Sequence, residues 1–256
     1  MKIYGLSACL AVFENRRDAI IRAYVTQRQM KSCTALLQWC AQTRRAYHVV
    51  TSEELERITE SCHHEGICLL ARRLAGPDVN AFLAATGKRE CAQSLVLLEN
   101  ITNPHNLGAI VRVAAHFGVA GVLMAGNAAE LPTLSATVFR TAEGGMETVP
   151  VLRITDATRT VQELRGAGFV IVATSSHTGD SVYTTLLPPR SLLLFGSETD
   201  GLSPTLAQSA DRHLTIPGSG AVESLNVACA AAAILGEYWR QHRHVRSRGE
   251  KGRPSA

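Results

Sequence analysis

The sequence predicts an α/β protein with a mostly parallel sheet covered by helices on both faces, preceded by a small α/β unit. Two observations predict this class. In residues 94–240, short apolar runs alternate with segments of helical periodicity. Three of the runs, in residues 99–112, 192–203 and 214–228, break into turns rich in Gly, Asn and Ser. Because ligands bind beyond the carboxyl ends of parallel strands, these turns predict a crevice built from backbone groups, which suits cofactor-dependent group transfer.

The first unit, residues 1–73, mixes strand-like and helical segments. Apolar runs predict strands at residues 23–26, 46–50 and 66–71, and helical patterns lie at residues 34–43 and 53–60. Thr51 and Glu54 have the spacing of a capping box before the second helix. Residues 74–93 are rich in turn-forming residues and predict a linker with a short helix around residues 81–85.

The second unit, residues 94–240, contains the remaining predicted strands. They lie at residues 94–99, 121–125, around Pro150, and at 169–175, 191–196 and 213–217. Helical segments fall between most of them, as expected where crossovers connect parallel strands.

The net charge of +4 is unevenly distributed. Residues 1–73 carry eleven Lys and Arg against seven Asp and Glu, residues 94–240 carry eight against twelve, and residues 241–256 carry five against one. Basic flanks around an acidic centre fit a protein whose outer parts hold a polyanion while the centre holds a cofactor. A solvated surface with a disordered tail fits the charges equally well. We expect residues 241–256 to be disordered and to add non-specific affinity for a polyanion.

Composition excludes several classes of protein. The longest apolar run, residues 227–235, is far too short to span a membrane, and the N-terminal segment lacks the features of a signal peptide. We therefore expect a cytoplasmic protein without a membrane partner. Seven cysteines without a C-x-x-C spacing predict neither a disulfide framework nor a zinc site. We expect Cys229 to pack as a small apolar residue.

Several common motifs are absent from the sequence. There is no G-x-G-x-x-G after a strand, no P-loop and no G-x-S-x-G, which disfavours a dinucleotide-linked oxidoreductase, a P-loop enzyme and an α/β-hydrolase. His63, His64 and Glu65 are consecutive, and consecutive residues on a strand face opposite ways. We therefore expect a loop contact or an RNA-facing role for them, and no metal.

The three turns together resemble the SpoU/TrmH-like branch of the SPOUT RNA methyltransferases. The residues that carry the resemblance are Asn106, Gly108 and Arg112 in the first turn, Gly196, Glu198 and Gly201 in the second, and Ser224, Leu225 and Asn226 in the third. Residues 1–73 are similar to the L7Ae/L30e-like RNA-binding domain that precedes the catalytic domain in many members. Two departures leave the choice of substrate open: Asp200 lies close to Glu198, and the third turn lacks the Met that commonly follows its Pro.

The resemblance implies a deep trefoil knot in the C-terminal domain, S-adenosylmethionine as the cofactor and a homodimer formed through the methyltransferase domain. It also implies methylation of a ribose 2′-hydroxyl in tRNA or rRNA, so that structured RNA and not DNA is the expected partner. The alternative is an RNA-binding or assembly factor that retains the fold without catalysis. The complete set of polar motif residues favours the enzyme.

Four residues are carried over from the resemblance as the cofactor site. Gly196 ends an apolar strand, where a side chain would collide with a closely approaching ligand; an ordinary turn glycine is the alternative. Ile216 and Leu225 would line the adenosine pocket, or simply pack in the core. Thr174 either contacts the cofactor or is a strand-end hydroxyl that bonds to the backbone.

Five residues are carried over as catalytic: Arg112, Asn106, Glu198, Ser224 and Asn226. The family's arginine is often described as a general base. A guanidinium holds its proton firmly, so stabilisation of the developing alkoxide, or a phosphate contact, is the preferred role for Arg112. The alternatives are a structural ion pair for Arg112, a helix-capping role for Glu198, and N-caps for Ser224 and Asn226.

Overall fold

The computed structural model describes residues 1–74, 76–87 and 91–242. Their strands form one sheet of four strands and one of seven. The first part of the chain contains β1 (Lys2–Tyr4), α1 (Leu6–Arg16), β2 (Ile20–Thr26), α2 (Thr34–Gln42), β3 (Ala46–Val50), α3 (Ser52–Thr59) and β4 (Ile67–Ala71), followed by α4 (Val79–Gly87). The second part contains β5 (Gln93–Glu99), α5 (Pro104–Phe117), β6 (Val122–Ala125), α6 (Ala136–Ala142), β7 (Val151–Arg153), α7 (Ala157–Gly166), β8 (Val170–Thr174), β9 (Asp180–Ser181), β10 (Arg190–Phe195), α8 (Pro204–Gln208), β11 (Arg212–Thr215) and α9 (Val227–His242).

The four-stranded sheet has the order β1-β4-β2-β3. Strand β4 is antiparallel to β1 and β2, and β3 is parallel to β2 and lies at the edge. One face packs against α1 and α2 through a buried apolar core. The other face packs against α3, where Tyr4, Leu55 and Cys68 are buried together.

The seven-stranded sheet has the order β7-β6-β5-β10-β8-β11-β9, and all its pairings are parallel. All seven residues of β5 are buried, as expected for a strand that is covered on both faces. Helices α5 and α9 contribute to the core on one face, and α4, α7 and α8 to the core on the other. The structure thus confirms the predicted α/β class with a parallel sheet and helices on both faces.

The elements predicted from the sequence are present. The capping box also forms: the Thr51 hydroxyl accepts the Glu54 N–H at 3.2 Å, and the Glu54 carboxylate accepts the Thr51 N–H at 2.8 Å. Three further elements, β1, α1 and β9, lie outside the prediction. The two strands have only three and two residues, which is too short for a periodicity to be seen. Helix α1 begins after Gly5 without a side-chain cap.

The two parts of the chain contact each other through α1, α6 and a segment of five residues, 143–147. Arg16 on α1 donates from Nε to Glu147 Oε2 at 2.6 Å and from Nη1 to the Arg72 carbonyl at 2.8 Å. Gly144 has a φ of 93°, and a Cβ at this position would lie 2.9 Å from the Cβ of Ala11. The segment is therefore closely packed against α1.

The cysteines differ in exposure. Burial raises the pKa of the Cys68 thiol to about 11, so this thiol stays protonated at neutral pH. Cys229 is exposed on α9, so the expectation that it packs in the core is wrong.

Among the described helices, none is both long and apolar enough to cross a membrane.

Three expectations remain predictions. Strand order alone does not define how the backbone is threaded, so the trefoil knot stays a prediction. The division into residues 1–73, 74–93 and 94–240 also stays a prediction. Of the basic tail, residues 243–256 lie outside the described part of the chain.

Candidate active site

The three predicted turns lie at one edge of the seven-stranded sheet. Strands β5, β10, β8 and β11 are consecutive neighbours and parallel, so their carboxyl ends share this edge. The turn after β5 leads into α5, which begins with Pro104 and is capped by the side chain of Asn103. The segment after β11 leads into α9. Residues far apart in sequence therefore meet beyond the strand ends.

Three of the predicted catalytic residues form one hydrogen-bonded cluster. Asn226 donates from Nδ2 to Asn106 Oδ1 at 3.0 Å and to Glu198 Oε1 at 2.6 Å. Its Oδ1 accepts the N–H of Ala228 at 2.9 Å, so the same side chain caps α9. Because the amide oxygen is engaged by a backbone donor, the amide nitrogen must face the carboxylate. Asn226 thus joins all three predicted turns.

The turn after β10 explains why Gly196 is a glycine. Ser197 and Gly201 exchange backbone hydrogen bonds of 3.1 and 3.0 Å across the turn. A Cβ on Gly196 would lie only 2.0 Å from the carbonyl carbon of Gly201. The close approach that excludes a side chain is made by the turn's own backbone, which matches the alternative of a turn glycine. This turn presents Glu198 to Asn226.

A residue that the sequence analysis missed supports the same turn. Glu99 ends β5 and is buried, and its Oε2 accepts the backbone N–H of Ser203 at 2.7 Å. Ser203 in turn caps α8 with its hydroxyl, which accepts the Leu206 N–H at 3.4 Å. Glu198 is therefore not the cap of this helix. A buried carboxylate at a strand end is the signal that could have identified Glu99.

The other predicted residues lie around the same edge. Thr174 ends β8, and its hydroxyl donates to the Leu194 carbonyl at 2.8 Å, which matches the strand-end interpretation. Ile216 is partly buried against the main core. Leu225 leaves 49% of its surface exposed, and Ser224 is exposed and makes no hydrogen bond through its side chain to the described residues.

Arg112 lies apart from the cluster. It is six residues beyond Asn106 on α5, which places it about 9 Å along the helix axis and on a different face. Its Nη1 lies 2.8 Å from Glu143 Oε1, and both side chains are about half exposed. No hydrogen bond or ion pair within the described residues connects Arg112 to Asn106, Glu198 or Asn226.

Two glycines allow close packing around α5, the helix that carries Arg112. A Cβ on Gly108 would lie 2.6 Å from the Thr141 side chain, so this motif glycine allows α5 to approach α6. A Cβ on Gly145 would lie 3.0 Å from the Val111 carbonyl and 3.3 Å from the Arg112 Cα. The 143–147 segment, which the sequence analysis did not single out, therefore contacts α5 on one side and α1 on the other.

The consecutive His63, His64 and Glu65 belong to a loop of the first part. His64 is buried, and its Nδ1 accepts the backbone N–H of Gly66 at 2.9 Å. Glu65 accepts the N–H of Leu6 at 2.9 Å. This confirms the expected loop contact for these two residues.

A parallel α/β fold with a polar cluster and exposed backbone turns at its carboxyl edge defines a class of α/β protein that binds its ligand at this edge. Comparison with known proteins makes the class specific. Residues 93–236 match the SpoU rRNA methylase family, and residues 2–76 match the RNA 2′-O ribose methyltransferase substrate-binding family. The chain belongs to the SpoU rRNA methylase family, which confirms the resemblance found in the sequence.

Relatives and solved structures agree with this assignment. The chain is 38% identical to the uncharacterized tRNA/rRNA methyltransferase YfiF of Escherichia coli O157:H7, over 94% of this chain and 68% of the relative. It is 32% identical to the 23S rRNA (guanosine-2′-O-)-methyltransferase RlmB of Vibrio vulnificus, over 93% of this chain and 96% of the relative. The crystal structure of AviRb, a SpoU methyltransferase from Streptomyces viridochromogenes in complex with AdoMet, has a TM-score of 0.75 and 25% identity, covering 96% of this chain and 91% of that chain.

Proposed function

We propose that this protein transfers the methyl group of S-adenosylmethionine to a ribose 2′-hydroxyl of RNA, with rRNA as the first substrate to test and tRNA as the second. The observation that carries the proposal is the Asn106–Asn226–Glu198 cluster, which joins three separate turns at the ligand-binding edge of the sheet. Membership of the SpoU rRNA methylase family supports it. Ribosomal RNA as substrate would place the protein in the cytoplasm.

The chain has the groups needed to hold the cofactor. Ile216 and Leu225 present apolar surface at the edge, and Leu225 in particular is far more exposed than a core leucine. Gly196 and its turn present backbone groups, and Thr174 lies at the end of the neighbouring strand. Apolar side chains and backbone hydrogen-bonding groups suit an adenosine moiety. The bound cofactor would supply an electrophilic methyl group on a sulfonium.

The polar residues have separate roles in this proposal. Asn226 holds Glu198 and Asn106 in place, and together with Ser224 they position the ribose. Arg112 brings the positive charge of a guanidinium, with which it stabilises the negative charge that develops on the 2′-oxygen or holds the adjacent phosphate. The 2′-oxygen would gain the methyl group as the methyl–sulfur bond of the sulfonium breaks and leaves a neutral thioether, and the hydroxyl proton would pass to solvent.

We also propose that the protein works as a homodimer through the methyltransferase part. The separation between Arg112 and the cluster supports an arrangement in which Arg112 of one protomer completes the cluster of the other. Phe117 on α5 and the partly exposed Trp239 on α9 lie next to each other, with ring centroids 6.4 Å apart, and provide apolar surface for such a contact. In this arrangement residues 1–73 hold the RNA and residues 74–93 act as a linker.

Mixing two inactive variants tests the shared site. If Arg112 acts across the dimer, Arg112→Ala mixed with Asn226→Ala recovers about a quarter of the wild-type activity, because half of randomly assembled dimers are mixed and each has one intact site. No recovery, with dimer exchange shown by sedimentation of differently tagged chains, would reject the shared arrangement.

Calorimetric titration with S-adenosylmethionine tests the cofactor site. Leu225→Ala is expected to weaken binding by about tenfold through lost apolar contact. Leu186→Ala is the matched control, because Leu186 is an exposed leucine that precedes β10 rather than following β11. Gly196→Val is unsuitable, since its side chain would break the turn itself. A wild-type protein that binds RNA but not the cofactor would favour the RNA-binding alternative.

A further inference from the structure

The four-stranded sheet leaves part of one face uncovered. On the face that packs against α3, Arg22 on β2 lies in register with Ala46 on β3, and both are exposed. Tyr24 lies two residues further along β2, in register with His48 on β3. Side chains two apart on a strand share a face, so Arg22, Tyr24, Ala46 and His48 form one surface. We refer to these four residues as the platform.

The platform contains a stacked pair of rings. The rings of Tyr24 and His48 are 5.4 Å apart and inclined by only 20°. The stack runs across the strands from β2 to β3, and β3 is the edge strand. The outer face of the His48 ring therefore points away from the sheet, where no described strand follows. An additional flat, aromatic group can extend the stack there.

The edge strand itself is unusually exposed. Strand β3 pairs with β2 alone among the described strands, and its first four residues are exposed. They include Tyr47 and Val49, which leave 42% and 46% of their surfaces uncovered and, by strand alternation, lie on the opposite face of β3 from the platform. Proteins commonly protect such edges with charge, proline or a covering element. Aromatic and apolar side chains at an open edge instead indicate a binding partner.

The charges around the platform favour an anionic partner. Arg22 lies on the platform, and Arg44 and Arg45 directly precede β3. None of these three arginines forms an ion pair within the described residues, and the side-chain hydrogen bond of Arg22 there is to the Tyr24 hydroxyl, at 3.4 Å. Unpaired arginines beside a stacked aromatic pair are the combination by which proteins bind single-stranded nucleic acid.

We propose that the platform binds unpaired nucleotides of the RNA substrate. A base stacks on the outer face of His48, and Arg22, Arg44 and Arg45 contact the phosphates on either side. The proposal rests on the proposed function in so far as that function supplies the RNA. It assigns RNA binding to the open sheet face and its edge, whose last platform residue, His48, precedes the start of β5 at Gln93 by 45 residues.

Fluorescence anisotropy with a labelled single-stranded 12-nucleotide RNA of mixed sequence tests the proposal on the full-length protein. His48→Ala is expected to weaken binding about 5- to 150-fold, the range for loss of one base–aromatic stack. His48→Phe keeps a flat ring and is expected to retain most of the affinity. Gln38→Ala is the control, because Gln38 is an exposed residue of α2, which packs on the other face of the same sheet.

The salt dependence separates stacking from charge. Arg44→Ala and Arg45→Ala are each expected to lower the slope of log Kd against log salt by about 0.7, the value per phosphate contact on single-stranded RNA. His48→Ala is expected to leave this slope unchanged, since stacking releases no counterions.

Three results would overturn the proposal: wild-type protein that fails to bind the RNA, equal affinity of His48→Ala and Gln38→Ala, or an affinity of His48→Phe as low as that of His48→Ala. If His48→Ala leaves the RNA affinity unchanged but alters the oligomeric state measured by sedimentation, β3 is an interface between copies of this chain. The assignment of RNA binding to the platform is then rejected. Calorimetric binding of S-adenosylmethionine, measured on the same variants, reports on the proposed function separately, because the platform lies outside the cofactor edge.

Discussion

Two ion pairs hold opposite ends of the 143–147 segment, and they differ in burial. Arg16 and Glu147 join the two parts of the chain, with 15% and 2% of their side chains exposed. Arg112 and Glu143 lie at the other end of the segment, with 57% and 45% exposed. Both are Arg–Glu pairs at short distances, so the difference between them comes from the surroundings and not from the residue types.

This difference indicates two separate functions. The buried pair cannot separate without leaving a charge out of water, so it fixes α1 against the segment. Arg16 Nη2 and Glu147 Oε1 have no hydrogen-bond partner within the described residues, which makes the pair dependent on its one close contact. The exposed pair contributes little stability, about 0.2–1 kcal/mol. Arg112 can therefore exchange Glu143 for a phosphate or the ribose oxygen at little cost.

The largest expected effect is on the buried pair. Glu147→Ala should lower the free energy of unfolding by about 3–5 kcal/mol, because it leaves the Arg16 guanidinium buried without its carboxylate. Urea denaturation measures this loss. The double variant Arg16→Met with Glu147→Leu should lose much less, since both charges are removed together. Equal losses for the single and double variants would contradict the interpretation.

The next effect is on activity. Arg112→Ala should lower the rate of single-turnover methyl transfer to deproteinised rRNA by about 100- to 1,000-fold, through loss of charge stabilisation at the 2′-oxygen. The free energy of unfolding should change by less than about 1 kcal/mol. Arg159→Ala is the matched control, because Arg159 also forms an exposed Arg–Glu pair, at 2.8 Å on α7. Near-normal activity of Arg112→Lys would show that bidentate hydrogen bonding by the guanidinium is unnecessary.

An intermediate effect is expected at the cluster. Asn226→Ala removes the cap of α9 and should cost about 0.5–2 kcal/mol in unfolding free energy, as well as lowering methyl transfer. Asn226→Asp keeps the capping oxygen but replaces the donor to Glu198 with a carboxylate. It should therefore retain most of the stability, measured by thermal unfolding, and lose activity. An active Asn226→Asp would show that the hydrogen bond to Glu198 is dispensable.

The smallest effect is expected at the exposed carboxylate. Glu143→Gln should change the free energy of unfolding by at most about 1 kcal/mol and leave methyl transfer within a few-fold of wild type. A loss of activity comparable to that of Arg112→Ala would mean that Glu143 positions Arg112 during the reaction. The exposed ion pair would then be needed for catalysis, whereas the buried pair is needed for stability.

The site was predictable where local sequence determines the chemistry. Asn106, Glu198 and Asn226 each follow an apolar strand, and the parallel order of the strands places their turns at one edge. The reason for Gly196 was only partly predictable, because the backbone that excludes its Cβ belongs to a turn whose closure is not encoded in the strand pattern. The roles of Glu99 and Cys229 depend on burial, which their own sequence neighbours do not reveal.

By itself the sequence determined the α/β class, most strands and helices, the capping box and the three turns, because apolar periodicity and turn chemistry act over a few residues. Tertiary structure alone decided that Arg112 pairs with Glu143, that Arg16 pairs with Glu147 across 131 residues, and that β3 leaves Tyr24 and His48 as an open stack. These contacts join residues whose separation in space depends on how whole elements pack, and packing of that kind leaves no periodic signal in the chain.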